Sequence, residues 1–318
     1  MTSEAPERAR LNQPSPVLTA SSRISARSVL LGLIQAVRPK QWVKNVLVLA
    51  APAAAGIIFR PRPLLQTLVA FVSFTGCAAA GYLINDSRDI EADRRHPVKC
   101  LRPLAAGVVG VTLARWTAAI LAAGAVALAA ALSGWQLAVT LVAYLACTAA
   151  YSLRLKHVPI VEMLVVAAGF LLRAIAGAAA THVALSRWFL IVAGFGSLYM
   201  VVGKRYAEVT TLGEGARVTR RILNEYPPSF LRQTRELCAG VTLIAYCLWA
   251  FERGTGSAAV WCQLSIIPIT LGLLRYALLL ERGEGGAPED VVLGDRTLLT
   301  AGAVWIVLFS VGIIIKGH

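Results

Sequence analysis

Long apolar runs alternate with short charged segments along this chain, and nearly all Lys, Arg, Asp and Glu residues fall in the segments between the runs. A helix of about twenty apolar residues, rising 1.5 Å per residue, crosses the ~30 Å hydrocarbon core of a bilayer. Nine stretches have this character: 42–59, 64–84, 112–132, 135–151, 160–181, 188–202, 237–251, 260–280 and 298–315. The sixth and seventh are short, which predicts helices that run on into the flanking charged residues. The expected fold class is all-α, a polytopic membrane bundle of nine transmembrane helices. Residues 1–34 are rich in Ser, Arg and Pro and read as a disordered cytoplasmic tail, with an interfacial helix expected over 24–37. No cleavable signal peptide is evident there. Residues 35–318 form the transmembrane domain.

Composition agrees with the pattern. The 318 residues are 57% hydrophobic and only 15% charged, with a mean hydropathy of +0.66, where a soluble domain carries roughly 25% charged residues. The net charge of +14 does not point to nucleic acid, because the basic residues are spread between spans. Of 31 Lys and Arg residues, Arg60, Arg62, Arg187, Arg253 and Lys316 fall on one side of the expected bundle and Arg173 within a span. All the others lie on the opposite side, which the positive-inside bias makes cytoplasmic, N-terminus included, in a plasma membrane. The C-terminus is then outside. The six cysteines have no CxxC spacing and the four histidines are scattered, so zinc is not expected.

The densest charge is in residues 82–107, directly after the second run. Asp86, Asp89 and Asp93 stand at i, i+3 and i+7, offsets that share one helix face. Three like charges on one face need a counter-ion. Hard oxygen ligands suit Mg²⁺, which takes one or two carboxylates and fills its shell with water and phosphate oxygens. Arg94, Arg95, Lys99 and Arg102 follow and can hold the remaining phosphate oxygens. Aspartate, Mg²⁺ and basic side chains together equip a site to expel diphosphate. A solvated cytoplasmic loop is the plain alternative for such a cluster.

Asn85, Asp86, Asp89 and Asp93, with Lys99, Arg102 and Pro103, form N-D-x-x-D-x-x-x-D followed by K-x-x-R-P. This pattern resembles the first aspartate-rich motif of the UbiA-type intramembrane prenyltransferase superfamily. Within it, the chain is most similar to the actinobacterial decaprenyl-phosphate phosphoribosyltransferase branch. The similarity runs from Arg38 onwards and includes R-P-K-Q-W-V-K-N from Arg38 to Asn45 and Y-S-x-x-L-K from Tyr151 to Lys156. The resemblance implies a helix bundle around a cavity open to the cytoplasm and laterally to lipid. It implies transfer of 5-phosphoribosyl from 5-phosphoribosyl 1-diphosphate to decaprenyl phosphate, with Mg²⁺ as cofactor and the lipid bilayer as surroundings, for cell-wall arabinan synthesis. A homo-oligomer, conceivably a trimer, is compatible with it.

On this reading Asp86, Asp89 and Asp93 are catalytic, and Asn85, Asp89 and Asp93 hold the metal. Tyr82, Asn85, Arg95, Lys99, Arg102, Tyr151 and Lys156 bind substrate. Lys204 and Arg205 stand where the family has a second aspartate-rich motif. That departure disfavours a prenyl diphosphate donor and suits a phosphate held directly; a pair of positive-inside residues is the bland alternative. Lys40, Gln41, Lys44 and Asn45 precede the first run, and lysines at i and i+4 could face one ligand or snorkel to headgroups. Glu162 and Arg173 are charges within the fifth run, functional by default there, eleven residues apart and too distant to pair. Glu162 is expected at the sugar or metal end, and Arg173 against a partner in the bundle. Residues 281–295 read as a flexible connection. Two rivals stay open: a conventional prenyltransferase, and a transporter with ionisable groups in broken helices.

Overall fold

A computed structural model describes residues 25–211, 221–252 and 256–317; tail residues 1–24 lie outside the described residues. Among the described residues every element is helical. The first helix, α1 (Ala26–Ala36), starts where the Ser25 hydroxyl accepts the Ser28 N–H at 3.1 Å. Leu30, Leu31 and Ile34 are exposed on it, as an interfacial helix requires.

The first apolar run departs from the continuous helix expected over 42–59. It forms a 3₁₀ segment over Pro39–Leu49 and a short helix α2 (Ala50–Ala54). Pro39 and Pro52 each remove a backbone donor, and Arg38 enters the segment in the left-handed region at φ 53°. Two contacts from a later helix, α7 (Val161–Thr181), pin the irregular backbone. Arg173 Nε donates to Asn45 Oδ1 at 2.8 Å, and the Val48 carbonyl presses on Gly177 so closely that a Cβ there would collide with it.

The other runs form long helices. These are α3 (Pro61–Arg88), then the short α4 (Ile90–Arg94), α5 (Val111–Leu132), α6 (Trp135–Leu153) and α7. After them come α8 (Arg187–Thr211) and α9 (Pro228–Phe251). As predicted, α8 and α9 extend well past their apolar runs into charged sequence. The eighth run is broken at Ser265 into α10 (Ser257–Leu264) and α11 (Ile266–Glu281). Residues 281–295 are not a plain connection: they carry a helix, α12 (Pro288–Gly294), before α13 (Arg296–Gly317). Among the described residues six segments are long and apolar enough to cross a membrane: α3, α5, α6, α7, α10 with α11, and α13. The chain is a multi-pass membrane protein.

Two packed halves position the site. Phe74, Leu137, Leu141 and Tyr144 centre the first, built on α3, α6 and α7. Tyr199, Leu231, Tyr276 and Leu280 centre the second, on α8, α9 and α11. The halves join where α7 packs on α8. Replacing Gly177 with Ala should lower stability by about 1–3 kcal/mol through overpacking, read as a lower unfolding temperature in mild detergent. Gly124→Ala, where a Cβ meets nothing within 4 Å, should leave that temperature unchanged or slightly raised.

Candidate active site

Helix α3 ends in the acidic motif. Its last turn closes with the Asp89 N–H on the Asn85 carbonyl at 3.0 Å, and Asp89 leaves helical geometry at φ −93°, ψ 10°. The break changes the expected single acidic face. Asp86 and Asp93 are buried together around one guanidinium: Arg102 Nη1 lies 3.2 Å from Asp86 Oδ1 and 2.7 Å from Asp93 Oδ2. Arg38 adds a second cation to Asp86 at 2.6 Å and lies over the Tyr82 ring. Asp89 turns elsewhere, with its Oδ1 2.7 Å from Lys156 Nζ and its Oδ2 accepting from the Asn85 amide at 3.1 Å. Ser152 donates to Asn85 Oδ1 at 3.2 Å, so α6 and the acidic end of α3 form one polar cluster. The His96 imidazole accepts the Val98 and Lys99 N–H groups and orders the turn that carries Lys99. Burial and the nearby Lys99 ammonium hold it below the usual histidine range, so it stays an acceptor at neutral pH.

A second charged group lies between α7 and α8. The turn into α7 places Ile160 at φ 67°, a strained value for a β-branched residue, and the Tyr226 hydroxyl accepts its N–H at 2.7 Å. Glu162 follows and is fully buried. Its two oxygens accept Arg205 Nε and Nη2 at 2.7 and 2.8 Å, while Arg205 Nη1 reaches Glu208 at 2.7 Å. Glu162, expected at the sugar or metal end, and Arg205, expected on a phosphate, are bonded to each other. The two satisfy each other, as buried charges must. Arg173 has its partners in Asn45, the Gly169 carbonyl and Tyr144, with Phe74 and Phe170 stacked beside it. Asn45, expected as a substrate contact, is 1% exposed and bonded also to Thr75.

Between the halves opens an apolar cavity of about 980 Å³. Trp249, Trp305 and Phe309 line its deep end, and Lys44, Tyr151, Lys204 and Glu289 its polar end. Lys40 and Lys44 do not act as a pair. Their segment is 3₁₀, in which i and i+4 do not align; Lys44 lines the cavity while Lys40 is exposed. Lys44 meets Glu289 at 3.2 Å, and Gln41 donates to the same carboxylate at 3.3 Å.

Residues 46–297 match the UbiA prenyltransferase family. The chain belongs to the UbiA prenyltransferase family. It is 43% identical over 280 residues to the decaprenyl-phosphate phosphoribosyltransferase of Corynebacterium glutamicum, covering 86% of this chain and 84% of that one. To the enzyme of the same name from Mycobacterium tuberculosis it is 44% identical over 284 residues, covering 88% and 93%. A solved structure of a UbiA homologue from Archaeoglobus fulgidus, bound to GPP and Mg²⁺, superposes with a TM-score of 0.68 at 17% identity. That match covers 90% of this chain and 100% of the other, and at this identity it speaks for the fold.

Within this UbiA fold the predicted residues separate into three groups. Asp86, Asp93 and Arg102 converge, as do Asn85, Asp89 and Lys156, while Tyr151, Lys44 and Lys204 share the polar end of the cavity. Arg95 stands exposed. Sequence reasoning missed Arg38, Ser152 and Glu289 as site residues. Arg38 carried a signal, since it opens the R-P-K-Q-W-V-K-N stretch; Glu289, 245 positions from Lys44 in sequence, carried none. Among the described residues no three acidic, His or Cys side chains form a metal cage. An ion that keeps water and phosphate ligands needs only one or two carboxylates, and Asp89, 27% exposed and already holding one cation, fits that demand with Asn85 beside it.

Substituting Glu162 with Gln leaves the Arg205 charge buried and undercompensated, which should cost roughly 3–5 kcal/mol. Lys156→Gln removes a partly exposed pair and should cost no more than about 1 kcal/mol. Thermal unfolding of the two variants in one detergent checks the contrast.

Proposed function

We propose that this chain transfers 5-phosphoribosyl from 5-phosphoribosyl 1-diphosphate to decaprenyl phosphate, releasing diphosphate and forming decaprenylphosphoryl-5-phosphoribose. One observation carries the reading: among the described residues the polar end of the apolar cavity carries Lys44, Lys204 and Arg205 and no aspartate, while Asp86, Asp89 and Asp93 at the end of α3 are bridged by basic side chains. The names of relatives at 43–44% identity over most of the chain support the same substrates.

The lipid tail occupies the cavity and its phosphate meets Lys44, Lys204 and Tyr151. The sugar diphosphate lies at the α3 end, where Lys99, Arg102 and Lys156 hold phosphate oxygens, and Arg95 waits at the solvent edge. Asp86 keeps Arg38 and Arg102 in place. Mg²⁺, held by Asp89 and Asn85 with Asp93 next along the chain, would draw charge from the leaving diphosphate. An oxygen of the lipid phosphate attacks the anomeric carbon as its bond to diphosphate breaks, and the electron pair leaves with diphosphate. The phosphate is already anionic at pH 7, so no general base is required. Positioning the two anions against fixed cations supplies the rate enhancement.

The broken first segment, α8 and α9 complete nine crossings, with the active site on the cytoplasmic face of the plasma membrane. A homo-oligomer is compatible with this arrangement. Transfer from a prenyl diphosphate is the second reading, favoured by the fold likeness to a GPP-bound homologue; Lys204 and Arg205 in place of a second aspartate motif weigh against it. A transporter is disfavoured because the ionisable groups gather at one end of the bundle. Asp89→Ala should abolish Mg²⁺-dependent diphosphate release while leaving the unfolding temperature near that of the parent protein; Asp93→Ala should abolish it too, with a lower unfolding temperature because Arg102 loses a buried partner. Retained Mg²⁺-dependent turnover in either variant would defeat the metal assignment.

A further inference from the structure

The segment between α11 and α13 is strapped across the cavity mouth. At its start, Glu281 accepts Arg235 at 2.7 Å and Tyr206 at 2.8 Å. Gly285 then lies so close to Ala207 of α8 that a Cβ would collide with that side chain. At its end, Asp295 holds Arg275 at 2.8 Å and accepts the Leu298 N–H at 2.9 Å. Val291 is buried between these anchors. A segment held at both ends presents Glu289 in one place, against Lys44 and Gln41 at the cavity wall.

Arg205 is shared between the Glu162 and Glu208 carboxylates. Lys44 is paired with Glu289, whose side chain is 18% exposed. Burial pushes the Glu289 carboxyl up, but its hydrogen bonds and the Lys44 ammonium hold it below the usual range, so it is ionised at neutral pH. Among the described residues no carboxylate forms a salt bridge with Lys204. The mouth therefore offers two ammonium groups, one of them held against the Glu289 carboxylate. A lipid monophosphate, carrying about −1.5 to −2, can lie between the lysines. A second phosphate group would bring further negative charge against Glu289.

We infer that Glu289 is a specificity-determining residue, whose carboxylate makes the cavity mouth select a polyprenyl monophosphate and reject a polyprenyl diphosphate. Specificity of this kind is built by a repulsive element as much as by an attractive one. The inference rests on the proposed placement of the lipid phosphate at Lys44 and Lys204.

The test is binding, which does not depend on turnover. Farnesyl phosphate and farnesyl diphosphate are titrated, without sugar substrate, into the full-length protein in detergent. Fluorescence of Trp249 and Trp305 in the cavity wall reports occupancy. The parent protein should bind the monophosphate more tightly. Glu289→Gln should reduce that preference at least about tenfold, the effect of one like charge a few Å away at an effective dielectric of about 20–40. Glu289→Asp, which keeps the charge, should keep the preference. An unchanged preference in Glu289→Gln overturns the inference, as does a Glu289→Asp variant that behaves like Gln. Failure of the phosphoribosyl reading would appear separately, as no diphosphate release from 5-phosphoribosyl 1-diphosphate.

Discussion

Three carboxylates within eight residues at the end of an apolar helix repel one another, and cations folded onto them offset that repulsion. Asp86, Asp89 and Asp93 obtain theirs from three separate places in the chain: Arg38 before the first membrane segment, Arg102 after α4, and Lys156 after α6. Each of those elements is drawn to the end of α3 by this demand, and the juxtaposition creates a polar pocket. On the proposed reading the same cations pass to phosphate oxygens when a substrate enters, because carboxylate and phosphate are both anionic oxygen acceptors for a guanidinium or an ammonium.

Deeper in the bundle the charges have a different task. Glu162 with Arg205, and Arg173 with Asn45, are held by protein partners. They fix geometry: the first pair ties α7 to α8, and the second ties α7 to the irregular first segment, where Gly177 lets the backbones touch. Lys44, Lys204 and Arg205 line the cavity, where the proposed reading puts the lipid phosphate.

The long helices were legible because apolar length against bilayer thickness is a strong constraint, and α5, α6 and α7 begin and end within two residues of the expected limits. The first segment was not, since its 3₁₀ course depends on Arg173 and Gly177, more than a hundred residues away. The acidic motif was legible as chemistry from its spacing. Its division into an Asp86–Asp93 pair and a separate Asp89 was not, because that follows from the helix ending at Asp89 and from where Arg102 and Lys156 arrive. Arg205 and Glu162 were each visible as anomalous charges, yet only the packing of α7 on α8 shows that they answer each other. Glu289 lay in a segment whose Gly-rich composition suggested slack, while its ends are tied by tertiary ion pairs that no local pattern encodes.

The central claim is that an aspartate-rich site for a sugar diphosphate faces a cavity mouth built for a lipid monophosphate. It is tested most directly by diphosphate release from the purified protein with Mg²⁺ and either of two substrate pairs. The account predicts release with 5-phosphoribosyl 1-diphosphate and polyprenyl phosphate, and none with polyprenyl diphosphate and an aromatic acceptor. Release with the second pair alone would contradict it, and would return Lys204 and Arg205 to the role of topology signals.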